Sequence, residues 1–152
     1  MRWGHFMDKF IKLLDKNLDY VNYEIINETC YITVISNRKE IKCPFCGQTS
    51  GKVHSTYERT FQDLPIQGKK VIVILKNRKM FCNNPDCDHT TFAERFMFLN
   101  RKAKKTKRLE DEIARLSLNC SSMAASQILK KNTVDVGKST ICSILKKRRI
   151  NY

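Results

Sequence analysis

Four of the seven cysteines stand in two close pairs. The first pair, Cys43 and Cys46, encloses two residues and is followed by Gly47, whereas the second pair, Cys82 and Cys87, encloses four. A two-residue spacing lets both sulfurs converge on one ion, and the glycine relieves the backbone in the tight turn. Four thiolates form a closed tetrahedral shell that leaves no position for a water molecule. The spacing therefore predicts a structural Zn²⁺ site with Cys43, Cys46, Cys82 and Cys87 as its ligands.

Other uses of these cysteines are two disulfides, or four unrelated thiols in a core. The odd number of cysteines and the lack of a secretory-type apolar run at the start argue for reduced thiols. His89 and His54 lie near the pairs, but the set of four thiolates is complete without either imidazole. We expect Cys30, Cys120 and Cys142 to be small apolar core residues that bind no metal.

The sequence around the cysteine pairs predicts mainly β-strands. Apolar residues alternate over residues 21–25 and again over residues 30–34, with Asn27 and Glu28 between them, which predicts a β-hairpin. Apolar spacing at the start predicts a short amphipathic helix. The assignments outside the hairpin are a helix over residues 6–14, a loop over 47–51, a strand over 57–61, a turn over 64–68 and a long strand over 69–81.

The charge of the chain is strongly basic and uneven. The formal net charge is +14, and the segment after Asn100 carries 14 Lys and Arg against 4 Asp and Glu. Such an imbalance favours a polyanionic partner such as nucleic acid or an anionic membrane surface. The longest apolar run, Val71 to Leu75, is far shorter than the roughly 20 residues of a membrane helix. We expect a cytoplasmic, nucleoid-associated chain with no membrane partner.

Three helices are predicted after residue 105. Thr106 is placed to cap the first, and Ser121 or Ser122 to cap the second. The third helix opens at Lys138 or Ser139, after a connector over residues 133–137. The residues predicted to face inward are Leu109, Ile113 and Leu116 in the first helix, Met123, Ala124, Ile128 and Leu129 in the second, and Ile141, Ile144 and Leu145 in the third.

This pattern fits a helix-turn-helix, whose final helix enters the major groove of DNA. Thr140 and Ser143 lie on the face opposite the apolar stripe and are predicted to meet base edges, while flanking lysines meet phosphates. The alternative is a basic three-helix bundle with a solvated face. The predicted contacts to double-stranded DNA are Lys138, Ser139, Thr140, Ser143, Lys146 and Lys147 in this helix, and Arg101, Lys102, Lys104 and Lys105 in a basic stretch that serves as a minor-groove arm or as a linker.

The order of motifs resembles a known family. CPFCG, DLPI, NNPDC, TTFAERF and TKRL, followed by the three predicted helices, are similar over residues 40–150 to the N-terminal half of ISL-three family insertion-sequence transposases. The resemblance implies that the four paired cysteines bind zinc and that the helix from Lys138 reads the terminal inverted repeats of the element. Family members usually act as multimers, which leaves a homo-oligomer on DNA open.

Full transposases of this family carry an RNase-H-like catalytic domain with an acidic triad. After Arg101 the acidic residues are Glu110, Asp111, Glu112 and Asp135, and the first three suit a helix start better than a metal site. We therefore expect no strand cleavage by this chain. Alternatives to a transposase part are a zinc-containing transcriptional or transposition repressor, an RNA-binding zinc-ribbon protein and, least favoured, an enzyme with a cysteine nucleophile.

The predicted fold class is α+β. We expect an N-terminal helix and β-hairpin over residues 1–41 that pack on a four-cysteine zinc ribbon over residues 42–98. A basic linker over residues 99–108 then leads to an all-α, three-helix helix-turn-helix over residues 109–152.

Overall fold

The structure is a computed structural model of the chain and describes residues 2–131 and 134–149. Asn132, the last residue of the predicted second helix after residue 105, and Thr133, the first of the predicted connector, lie outside these ranges, as do residues 150–152 of the predicted helix-turn-helix. The described residues form a mixed α/β protein with one helix before a sheet and three after it. The helices are α1 (Arg2–Lys12), α2 (Lys107–Ser117), α3 (Ser122–Lys131) and α4 (Lys138–Arg149), and the strands are β1 (Leu18–Ile26), β2 (Thr29–Ser36), β3 (Ile41–Lys42), β4 (Thr49–Ser50), β5 (Val53–Ile66), β6 (Lys69–Phe81) and β7 (Thr91–Ala93).

Two tight hairpins build the main sheet. β1 and β2 pair antiparallel around Asn27 and Glu28, whose φ angles of 48° and 63° both lie in the left-handed region. A two-residue turn of this kind has the twist that neighbouring strands require. The predicted hairpin is confirmed.

β5 and β6 form the second hairpin, and its turn is shorter than predicted. Gln67 and Gly68 have φ angles of 49° and 73°, and Ile66 pairs directly with Lys69. The prediction of a turn over residues 64–68 is wrong at its first three positions, which belong to β5. Pro65 is tolerated there because the antiparallel register shifts between Asp63 and Ile66.

The two hairpins join through a parallel pair. β2 lies beside β6 with Thr29 opposite Lys70 and Ile35 opposite Lys76, which gives the strand order β1-β2-β6-β5. β7 adds to the end of β6. Both hairpins and the cysteine pairs are thereby connected through the backbone of one long strand.

One face of the sheet is covered by apolar side chains. Burial alternates along β2 and β6, and helix α1 contributes Ile11. Each such side chain contributes roughly 1.5–3 kcal/mol when it leaves water completely. The buried members of this first core are Ile11, Leu18, Cys30, Ile32, Val34, Phe61, Val71, Val73, Leu75, Phe96, Phe98 and Leu99.

Helices α2, α3 and α4 enclose a second core. The Thr106 side chain accepts a hydrogen bond from the Leu109 N–H, which confirms it as the cap of α2. Ser121 does the same for the Ala124 N–H at the start of α3. The core residues are Leu109, Ile113, Ala114, Ala125, Leu129, Val134, Val136, Ile141 and Ile144.

Helix α3 is turned differently from the prediction. Met123 and Ile128 are 59% and 40% exposed, whereas Ala125 and Leu129 are buried. The helix places the small Ala125 in the core shared with α2 and α4, and the larger Met123 and Ile128 remain exposed to solvent. The predicted inward position of Met123 and Ile128 is therefore wrong.

The basic stretch before α2 lies along the sheet. The Gln62 N–H donates to the Lys104 carbonyl, and the Thr106 N–H donates to the Gln62 carbonyl. Buried Asp63 accepts from the Thr106 hydroxyl at 2.7 Å and from Arg108 Nε at 2.8 Å. These contacts bind the start of α2 to the outer edge of β5.

Among residues 2–131 and 134–149, no helix combines the length and the apolar character that crossing a membrane requires.

Candidate metal centre

The first cysteine pair lies in a short turn between β3 and β4. The Cys43 N–H donates to the Gln48 carbonyl at 2.9 Å, and the Gly47 N–H donates back to the Cys43 carbonyl at 2.8 Å. Gly47 has a φ of 80°, the conformation that only glycine adopts without strain. Thr49 and Ser50 form β4, so the predicted loop over residues 47–51 is wrong at these two positions.

The second cysteine pair lies between β6 and β7. The Cys82 N–H donates to the Thr90 carbonyl at 2.8 Å, and the Cys87 N–H donates to the Asn84 carbonyl at 3.2 Å. The Phe81 N–H also donates to the Lys52 carbonyl, just after β4. This bond holds the two turns beside each other.

The four sulfurs converge on one point. All four Sγ atoms lie within 4.8 Å of one another, and Cys46 Sγ is 3.5 Å from Cys82 Sγ. Tetrahedral ligands with a Zn–S distance of about 2.3 Å would lie about 3.8 Å apart, so the set fits a zinc ion. A disulfide needs about 2.05 Å, and all seven cysteines are free thiols. The disulfide alternative is therefore excluded.

Local hydrogen bonds prepare one sulfur for metal binding. The Gln48 N–H and, to a smaller degree, neighbouring groups lower the pKa of the Cys46 thiol to about 7. The Asn84 N–H acts in the same direction on Cys82, but desolvation and the adjacent thiols raise the pKa of Cys82 to about 12. The pKa values of Cys46 and Cys82 are thus shifted in opposite directions. A bound dication would keep both as thiolates, because it stabilises every thiolate that coordinates it.

The nearby histidines serve packing. His89 stacks on Phe45 with ring centroids 3.5 Å apart, and its backbone N–H donates to Cys87 Sγ at 3.5 Å. His54 Nδ1 is 2.9 Å from Ser55 Oγ, and its ring meets the Phe81 ring edge-on. Neither imidazole belongs to the cluster of potential ligands.

The remaining cysteines lie away from the cluster. Cys30 is buried in the sheet core, where desolvation raises the pKa of its thiol. Cys120 packs against the helical core, and Cys142 Sγ is 3.7 Å from Ser122 Oγ. These three cysteines lie outside the cluster of the other four, and that they bind no metal stays a prediction.

A small third core supports the metal centre. It consists of Ile41, Cys43, Met80 and Phe92, with Cys82 and Cys87 packed against it. So few apolar residues cannot hold two turns together alone, which is the situation in which a structural zinc ion supplies folding free energy.

Sequence reasoning did not find the buried carboxylate beside this centre. The Glu94 side chain has no exposed surface and accepts hydrogen bonds from Arg38 Nε at 3.0 Å and Arg78 Nε at 2.9 Å. Arg38 also donates to the Arg95 carbonyl, and Arg78 donates to the Arg38 carbonyl. Glu94 thereby ties β7 to β6 and to the chain that enters the first turn. Its position in TTFAERF, between Phe92 and Phe96, is the only sequence signal.

The predicted DNA contacts fall on two surfaces. On α4, all six predicted residues are exposed, and the Ser143 hydroxyl donates to the Ser139 carbonyl at 3.0 Å. In the basic stretch, Arg101, Lys102 and Lys104 are exposed and Lys105 is half-buried beside β5. Their contacts to DNA stay a prediction.

Comparison with known families gives one finding that bears on this site. Residues 39–87 match a family described as the zinc-finger of transposase IS204/IS1001/IS1096/IS1165. The matched segment is about a third of the chain and contains all four clustered cysteines. Comparisons with curated proteins and with solved structures found no match. The match and the clustering together confirm the predicted structural Zn²⁺ site, and they confirm the resemblance to ISL-three transposases for this segment.

Proposed function

We propose that this chain takes part in transposition by binding duplex DNA at the terminal inverted repeats of an insertion sequence. The single observation that carries the proposal is the match of residues 39–87 to a transposase zinc finger whose four cysteines cluster in space. A four-thiolate zinc ion crosslinks the turns and has no open coordination position, so the site itself is not catalytic. We propose that this structural zinc site holds a nucleic-acid-binding surface in shape.

Helix α4 is the proposed reader of the DNA sequence. Ile141 and Ile144 face the helical core, which leaves Thr140, Ser143 and Lys147 on the exposed face. Small hydroxyl side chains can approach base edges closely, and an exposed lysine meets phosphate as a point charge. Arg148 forms an exposed ion pair with Asp111 of α2, so we do not assign it a contact to DNA.

We assign α3 and α4 to a helix-turn-helix with a long turn. Six residues separate the two helices, compared with three or four in the simplest form of the motif. Val134 and Val136 are buried, and the Ser126 hydroxyl donates to the Val136 carbonyl at 2.7 Å. The described part of the turn is thus packed onto α3, which keeps α4 at a fixed angle for docking in the major groove.

The basic stretch before α2 is proposed to contact phosphates. Arg101, Lys102 and Lys104 are exposed, and hydrogen bonds between the backbone at residues 104–106 and Gln62 hold the stretch against β5. A tethered basic strand loses less conformational entropy on binding than a free linker does. This supports a positioned arm between the zinc centre and the helices.

The test is selection of duplex DNA from a random pool by the zinc-loaded protein at near-physiological salt. We expect enrichment of a motif that matches the terminal repeat of a mobile element. Thr140→Ala and Ser143→Ala should each weaken discrimination by about 1–3 kcal/mol at the base pair that the hydroxyl meets. Lys147→Ala should weaken binding to all DNA sequences equally and should reduce the slope of log affinity against log salt concentration by about 0.9.

The matched control is Lys9→Ala, which removes an exposed charge from α1 and should leave motif and salt slope unchanged. Selection of a promoter operator would instead identify a repressor. Salt-sensitive binding without any enriched motif would contradict sequence reading by α4.

A further inference from the structure

A wide cleft opens beside the metal centre. Its volume is about 940 Å³, near the upper end of the roughly 300–1,000 Å³ that ligand sites occupy. The first cysteine turn, strands β5 to β7 and the stretch after β7 form its walls. The residues that carry the argument are Phe45, Tyr57, Arg59, Lys79, Arg95 and Arg101.

The cleft is lined by cations that are free of carboxylate partners. Arg59, Lys79, Arg95 and Arg101 form no ion pair within the part of the chain that the structure describes. Two acids line the cleft: buried Glu94 is neutralised by two arginines, and Asp15 accepts a hydrogen bond from the Asn17 N–H at 2.7 Å. Seven lysines and arginines line the cleft as well, so its cations outnumber its acids. The cleft therefore attracts polyanions, and it does so through residues outside α4.

Flat aromatic surface stands beside these cations. The Phe45 ring is stacked on His89 at an interplanar angle of 5°, and Phe45 remains 45% exposed. The Arg95 guanidinium lies 5.6 Å from the centre of the Phe45 ring. Tyr57 is 41% exposed, and its hydroxyl accepts a hydrogen bond from the buried Asn77 amide at 2.7 Å. Both rings are held in place before any ligand arrives, and because His89 covers one face of the Phe45 ring, a base can stack only on the other face.

We propose that this cleft binds an unpaired nucleic-acid strand, with bases against Phe45 and Tyr57 and phosphates on Arg59, Lys79, Arg95 and Arg101. In a duplex the base faces are covered by their neighbours, so an aromatic platform can stack only on bases that have left the helix. The cleft thus combines exposed rings with unpaired cations, the two features that single-strand sites use. This site goes beyond the proposed function, because it does not depend on α4 or on any sequence motif.

The experiment measures fluorescence anisotropy of the zinc-loaded full chain with three probes. These are oligothymidylate and oligouridylate of about 12 nucleotides, within the length range of single-strand sites, and a fully paired duplex. Phe45→Leu keeps an apolar side chain but removes the ring. It should weaken binding of both single strands by about 5- to 150-fold, the effect expected for one stacked base, and leave duplex binding unchanged.

Arg95→Gln supplies a second readout, because it removes a charge from the stretch after β7 and changes no residue between the paired cysteines. It should lower the salt slope for single strands by about 0.7 and leave the slope for the duplex unchanged. Lys147→Ala should lower the salt slope for the duplex and leave the slope for single strands unchanged. The two variants therefore distinguish a failure of the cleft proposal from a failure of the α4 proposal. Phe6→Leu is the matched control, since Phe6 is 61% exposed on α1.

Zinc content and thermal unfolding of each variant establish that it is folded. Equal weakening on oligothymidylate and oligouridylate supports a site that reads bases and phosphates, and weakening on one of them alone assigns the site to DNA or to RNA. Single-strand affinities within about twofold of the parent in both cleft variants would overturn the proposal. Parallel weakening on duplex and single strands would also overturn it, because the cleft would then be a general phosphate contact.

Discussion

Glu94 lies outside the cysteine cluster and joins the chain segments that lead into its two turns. Its carboxylate is fully buried and holds two arginines from different parts of the chain, Arg38 before the first cysteine turn and Arg78 before the second. A buried charge of this kind is tolerated only while all its partners are present. The pair of turns therefore has a second crosslink in addition to the ion.

Glu94→Gln should destabilise the zinc-loaded protein by about 3–5 kcal/mol, because it removes a fully buried carboxylate from two partly buried guanidinium groups. The measurement is urea unfolding at a fixed zinc concentration. Glu58→Gln is the matched control, since Glu58 pairs with Lys76 on the surface and is 57% exposed there. The control should cost no more than about 1 kcal/mol. If the two substitutions lowered the free energy of unfolding equally, the ion pairs of Glu94 would stabilise the fold no more than a surface ion pair does.

The residues that bind the metal could be predicted, and the residues that support it could not. Cys43 and Cys46 are ligands by their own spacing, so a local pattern reveals them. Glu94 meets Arg38 across 56 residues of chain, and no local pattern encodes that distance. Buried Asp63 belongs to the motif DLPI, but no local pattern indicates that it is the partner of Arg108, which is 45 residues away.

At the scale of elements, the hairpins followed from sequence but their arrangement did not. Alternating apolar residues and two turn residues with positive φ are local features, so the pairing of β1 with β2 was predicted correctly. The parallel pairing of β2 with β6 joins strands that β3, β4 and β5 separate along the chain. Since either edge of each hairpin presents free backbone groups, alternation alone could not select this contact.

The cap of α2 also joins that helix to the sheet. The Thr106 hydroxyl accepts from Leu109 and donates to Asp63 of β5, so one side chain begins a helix and fixes its position. Ser121 caps α3 through the Ala124 N–H, which is a bond within the helical part of the chain. The two caps therefore differ in what they connect.

Thr106→Ala should raise hydrogen exchange in α2 and at Gln62 and Asp63 of β5, because the substitution removes the cap and the bond to the sheet together. The expected decrease in stability is about 1–3 kcal/mol, the sum of a cap and a buried hydrogen bond. Ser121→Ala should cost about 1 kcal/mol and affect only the helical core. Exchange at β5 that is unchanged in Thr106→Ala would contradict a coupling between the helices and the sheet.

The described part of the molecule contains three separate apolar cores of unequal strength. Among the described residues, the sheet core has twelve buried members and the helical core has nine, whereas the metal centre has four. Hydrophobic burial grows with the number of residues in a core, so the two larger ones can persist without metal. The turns that carry the cysteines have too small a core to stay folded without metal.

Removal of zinc should therefore unfold the metal centre locally. Hydrogen exchange measured with and without a chelator should show decreased protection over residues 41–50 and 80–93, by on the order of a hundredfold, while β2 and α2 stay protected. The roughly 10–16 kcal/mol of structural zinc binding is more than sufficient for such a change. Cys82→Ser should reproduce the effect and lower the zinc content, and Cys120→Ser, outside the cluster, should do neither. If exchange in the turns were the same with and without metal, backbone hydrogen bonds and the Glu94 crosslink would suffice to hold them, and zinc would not be structural.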